Sequence, residues 1–189
     1  MGAIFQSLGR TVLAGFVLFV LLLLCVSGIP KAEIGLAIWL HVVSGVMWIG
    51  LLWYFNFVQI PSMPKIPDDQ KPAVSKVIAP TALFWFRWAA LATVVTGLLV
   101  AFRLGYLVPA LTFQAGVATI GIGMWLALLM AFNVWFIIWP NQKKALGIVV
   151  VEAAEKAKAA RMAMLTSRFN TMLSIPMLYC MVAQRYAGI

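Results

Sequence analysis

The chain has 189 residues, 64% of them hydrophobic and 10% charged, with eight Trp and a formal net charge of +9. Apolar runs this long and charges this sparse exclude a soluble globular domain and a disordered chain, and the basic residues stand between the apolar runs, which excludes nucleic acid as the partner. What remains is a lipid-bilayer protein: an all-α integral membrane helical bundle that fills 1–189 as one membrane domain.

A spanning helix needs about 20 predominantly apolar residues, and windows of that kind fall near 11–29, 33–59, 81–102, 115–139 and 170–184. About five transmembrane helices are expected. The first window, VLAGFVLFVLLLLCVSG, follows Arg10 and ends in the small residues Ser27 and Gly28, a pattern shared with secretory leaders. The lack of a clean A-x-A site favours an uncleaved helix. Cys25 and Cys180 lie in different spans without CxxC, CxxCH or zinc spacing, and read as thiols acting as small hydrophobes.

The second window, from Glu33 to Ile60, carries His41, the one histidine of the chain. At about 100° per residue, His41, Gly45, Trp48, Leu52, Asn56 and Gln59 fall in one stripe, expected to point into the bundle. Ser44 is positioned to satisfy a ring nitrogen, and Gly45 leaves a notch beside the imidazole. The segment from Pro61 to Pro80 holds five prolines with Lys65, Lys71, Lys76, Asp68 and Asp69, and reads as a surface loop. In the third span Arg87 is flanked by Trp85, Phe86 and Trp88, read as an aromatic cage. The stretch from Arg103 to Gln114 reads as an interfacial turn with Tyr106 as an anchor.

The fourth span contains Asn133 and ends in WPNQKK. Charges then alternate with apolar residues, and Glu152 with Lys156 and Glu155 with Lys158 have helical pair spacing, so one cytoplasmic surface helix is expected near 143–165. SRFN opens the fifth span, where Ser167 reads as its cap and Asn141, Gln142, Arg168 and Asn170 gather at the same end as Asn56 and Arg87. With the N-terminus inside, Arg10, Lys65, Lys71, Lys76, Lys143, Lys144, Lys156, Lys158, Arg161 and Arg168 share the inner side, against Lys31, Arg103 and Arg185 outside. The positive-inside rule therefore gives an N-in/C-out orientation, in a bacterial plasma membrane.

An ionisable residue inside a membrane is a functional hypothesis by default. For His41 the functional reading is axial ligation of a b-type haem, which takes a neutral imidazole nitrogen facing a cavity; the structural reading is a hydrogen bond between helices. A second histidine ligand from the same chain is excluded. Met177 or Met181, water, or a second copy in a homo-oligomer would complete the iron. Arg87 reads as a snorkelling cation or as a clamp for an anionic group. The cofactor-binding set is thus His41, Gly45, Trp48, Arg87, Asn133, Met177 and Met181.

The runs WLHVVSGVMWIGLLWYF, WFRWAALATVVTG, FNVWFIIWPNQKKAL and SRFNTMLSIPM resemble the N-terminal membrane domain of bacterial cytochrome c-linked urate oxidases, and the histidine helix is more distantly similar to the membrane protoporphyrinogen oxidase family. The first resemblance implies a membrane redox unit that hands electrons to a c-type cytochrome on the outer side; the second associates such a histidine with haem. Here the chain has no CxxCH of its own, so that cytochrome is a separate partner. Beside this redox reading stand a non-catalytic accessory subunit of a larger respiratory or oxygenase complex and a small transporter or proton relay. The last is disfavoured, because no carboxylate lies within the spans beyond Glu33 at the very edge of the second.

Overall fold

The computed structural model describes residues 2–27 and 29–186, and Gly28, beside the leader cleavage position considered above, lies outside the described residues. Regular structure among them is wholly helical. After a single turn at Gly2–Phe5, α1 is Leu8–Ser27. Helix α2 starts as Ile29–Trp53 and runs on through Tyr54–Gln59 and Ile60–Ser62 to Met63–Lys65. Helix α3 enters through Lys71–Ala73 and Val74–Ile78 and continues as Ala79–Arg103. A short α4, Leu107–Leu111, precedes α5, which passes from Ala118–Phe132 through Asn133–Ile138 into Trp139–Ala145. Helix α6 is Ala153–Tyr186.

Four of these helices are long and apolar enough to cross a membrane: Leu8–Val26, Ala32–Lys65, Lys71–Arg103 and Ala118–Ala145. The molecule is therefore a multi-pass membrane protein by length and composition. The expected fifth span is not among them, and the separate surface helix at 143–165 does not exist. Residues 143–145 end α5, Gly147 turns the chain at φ 77°, and one 34-residue helix, α6, carries both the charged stretch and the segment 170–184. That segment falls short in hydropathy because Asn170, Thr171, Ser174 and Gln184 are spread along it. Asn170 and Ser174 are fully buried against other helices. Glu155 pairs with Lys144 at 2.5 Å across this turn rather than with Lys158.

Three π segments widen the long helices: Tyr54–Gln59, Val74–Ile78 and Asn133–Ile138. Each ends two residues before a proline, at Pro61, Pro80 and Pro140. Proline offers no N–H, and its ring collides with the carbonyl four residues back, which lies inside the π segment in all three cases; the wider turn makes room. The helices thus run on through these prolines. The surface loop expected from Pro61 to Pro80 contracts to the residues between Lys65 and Lys71.

Helices α2 and α3 run antiparallel, in a register fixed by the Glu33–Arg103 ion pair at one end and the Phe55–Phe86 edge-to-face contact at the other. Helices α5 and α6 pack on them around Trp48, Leu52, Phe86, Met130, Val134 and Ile138, all nearly inaccessible. Between helices in lipid this packing works through van der Waals contact and interhelical hydrogen bonds. The outward faces carry Val46, Val95 and Phe136, more than half exposed, as suits side chains in hydrocarbon. Helix α1 lies apart, joined to α2 by Phe16 and Phe19 around Trp39.

Candidate functional site

The stripe of α2 does face inward, and it divides into two levels with different chemistry. At the first, His41, Gly45 and Trp48 line a cavity of about 620 Å³ with Met177 and Met181 of α6, Met124 of α5, Thr93 and Gly97 of α3, and Tyr106 at the start of α4. Cofactor pockets commonly enclose roughly 300–1,000 Å³. The wall is almost wholly apolar, so the few polar groups on it decide what can bind.

His41 Nδ1 lies 2.9 Å from the carbonyl oxygen of Thr93. A carbonyl only accepts, so Nδ1 carries the proton and donates it. The Thr96 hydroxyl sits 3.4 Å from the same nitrogen, but gives its own proton to the Ala92 carbonyl at 2.6 Å. The lone pair is left on Nε2, which has no hydrogen bond among the described residues. Ser44, expected to satisfy the ring, is replaced in that role by backbone on the facing helix. Gly45 is closed by Thr93, whose methyl would lie 3.8 Å from a Cβ built there.

Trp48 is fully buried, and its indole N–H has no partner among the described residues. Tyr106, outside the spans, is half-buried, and burial holds its phenol above the ordinary range, so it stays protonated and able to donate.

The second level is a ladder of amides and hydroxyls. Asn56 Nδ2 donates to Ser167 Oγ at 2.8 Å, Asn133 Nδ2 to Asn170 Oδ1 at 2.8 Å, and Trp53 Nε1 to Ser174 Oγ at 2.9 Å. Two of these amides also serve the π segments. Asn56 donates to the Leu52 carbonyl and Asn170 to that of Met130, each at 2.9 Å, where the change from four- to five-residue spacing loosens the backbone ladder. Ser167 lies inside α6 and not at its start, so it is an acceptor for Asn56 and not a cap. At the far end, Gln184 accepts from Ile120 N and donates to the Gly116 carbonyl, tying the first turn of α5.

The cofactor set read from the sequence therefore splits. His41, Gly45, Trp48, Met177 and Met181 meet at one cavity, whereas Arg87 and Asn133 do not line it. Asn133 belongs to the ladder. The expected cage of Trp85, Phe86 and Trp88 does not form around Arg87, because adjacent helical residues point apart. Trp85 and Trp88 face outward, and the Arg87 guanidinium instead stacks 3.3 Å above the Trp139 ring of α5.

Thr93, Thr96 and Gly97 were not singled out by the sequence reading, although they lie in WFRWAALATVVTG. Their signal was spacing: small and hydroxyl residues at i, i+3 and i+4 mark a helix face that takes a close neighbour.

No curated protein and no solved structure matches the chain. A family model does, over somewhat less than half of it. The match spans α5 and α6 with the runs FNVWFIIWPNQKKAL and SRFNTMLSIPM, and leaves His41 and Arg87 outside. Residues 108–189 match the family described as urate oxidase N-terminal.

Proposed function

We propose that the chain is a membrane-embedded redox component whose cavity holds a b-type haem, with His41 as an axial ligand, and which passes electrons to a separate c-type cytochrome. The observation that carries this reading is the His41 ring. Its Nδ1 proton is given to the Thr93 carbonyl, which leaves a basic Nε2 on a ring that lines the same apolar cavity as Met177 and Met181. A metal-bound histidine ordinarily makes just such a second hydrogen bond, which fixes the tautomer and ring direction. Haem bound there would supply one-electron transfer within the bilayer.

The chain's own residues divide the remaining work. His41 coordinates, Thr93 orients it, and the apolar wall of α2, α3, α5 and α6 excludes water. Tyr106, protonated at the cavity edge, is placed to donate to a carboxylate. Met177 or Met181, on the same cavity wall, would offer a thioether as a further ligand. In the N-in/C-out orientation the end of α6 would emerge on the outer side of a bacterial plasma membrane, where c-type cytochromes dock. The family match at α5 and α6 supports this class of partner.

The test is a visible spectrum of the protein purified in mild detergent. A Soret band that disappears in His41→Ala supports the reading; a colourless wild-type protein that stays colourless after addition of haem overturns it.

A second reading, an accessory subunit of a larger respiratory or oxygenase complex, is favoured by the ladder, which commits Asn56, Asn133, Ser167 and Asn170 to helix contacts. Stoichiometric co-purification of a partner complex from native membranes supports it, and a stable lone monomer counts against it.

A further inference from the structure

Helices α2 and α3 come closest where a glycine faces the histidine. A Cβ built on Gly97 would lie 2.7 Å from His41 Cε1 and 3.0 Å from Nδ1, well inside the roughly 3.5–4.0 Å at which carbon atoms pack. At Gly45, one turn along α2 from His41, a Cβ would make ordinary contact at 3.8 Å, and at Gly15 and Gly50 it would meet nothing within 4 Å. The constraint at position 97 is therefore specific to the imidazole. It is also a constraint on a side chain and not on backbone. A methyl group there would push the ring off α3, and a ring that moves loses its 2.9 Å hydrogen bond to the Thr93 carbonyl.

We propose that Gly97 is a positioning residue. Its bare backbone lets the His41 ring lie against α3, where the Thr93 carbonyl takes the Nδ1 proton and Nε2 is the one nitrogen left for a ligand. The consequence for haem rests on the function proposed above; the placement of the ring and its tautomer do not.

The single histidine makes the test direct, because protein labelled with ¹⁵N-histidine reports one imidazole. In mildly alkaline buffer the wild-type nitrogen shifts are expected to show the Nδ1–H tautomer, and Gly97→Ala a mixture of both. With haem b added, Gly97→Ala is expected to bind about tenfold more weakly, the lower end of what disturbing the hydrogen-bond partner of a metal-bound histidine costs. Gly15→Ala is expected to change neither.

A double-mutant cycle separates positioning from general packing. Gly97→Ala should lower the melting temperature in the wild-type background and leave it unchanged in His41→Ala, where the added methyl has no ring to meet. An unchanged tautomer in Gly97→Ala, or an equal loss of melting temperature in both backgrounds, overturns the proposal. Failure of the wild type to bind haem removes the haem reading alone, since tautomer and cycle still decide the role of Gly97.

Discussion

The two levels of α2 treat buried polar groups in opposite ways. At the ladder, Asn56, Asn133, Ser167 and Asn170 answer one another across three helices, and the amides of Asn56 and Asn170 also take carbonyls loosened by proline-driven π turns. At His41, which lines an apolar cavity, one ring nitrogen is tied to backbone and the other has no hydrogen bond among the described residues. An unmet polar group in hydrocarbon is costly. The ladder meets most of that cost internally, with Asn56 Oδ1 left without a partner among the described residues, whereas at the His41 level both His41 Nε2 and the Trp48 indole N–H are without one. Polarity inside a membrane thus becomes informative once its partners are known.

Substitutions at the two levels and around them put this contrast to the test. The largest effect on stability is expected at Gly121, where an added Cβ would fall 2.0 Å from the backbone oxygen of Ala110. Backbone cannot swing aside as the His41 ring can, so Gly121→Ala should cost about 3 kcal/mol or more, read as a loss of melting temperature in detergent. Gly97→Ala, by comparison, should disturb ligand binding more than folding.

Next is Asn170→Ala, which strips the Asn133 amide of its acceptor and the Met130 carbonyl of its donor. About 2 kcal/mol of destabilisation is expected from the unmet groups, with haem affinity unchanged in the protein that remains folded. A parallel loss of both would dissolve the distinction between the levels.

Arg87→Met removes the stack on Trp139. A loss near 1 kcal/mol is expected from a cation–π contact, measured by thermal unfolding, again without change in the haem spectrum. A spectral change would return Arg87 to the cofactor site.

The smallest effect lies outside the spans, at Asp68, where Lys71 at 2.6 Å holds the carboxyl below its usual range. A lowered pKa contributes stability above the unfolded value and loses it as pH falls through the folded one. Asp68→Asn should therefore flatten the acid side of the melting profile slightly, and an exposed pair of this kind changes little else.

Much of this contrast was legible in the sequence because period and composition carry it. The α2 stripe placed His41, Gly45, Trp48 and Asn56 on one face, and apolar length gave four of the five expected spans. The fifth is not among them because hydropathy counts Asn170, Ser174 and Gln184 as polarity, while their positions in α6 turn them inward as bonds. Proline was misread, since a sequence shows a helix breaker but not the wider turn that accommodates it. The partner of His41 was out of reach: a backbone carbonyl 52 residues away leaves no residue-type signal. Arg87 was assigned to its sequence neighbours when its contact is across the bundle.

Titrating haem into purified wild type, His41→Ala and Asn170→Ala, and following the Soret band, decides whether the His41 level is a ligand site and the ladder is not. One haem per chain is expected in the wild type and in folded Asn170→Ala, and none in His41→Ala. Equal binding by wild type and His41→Ala, or none by either, would contradict a ligand site at the His41 level.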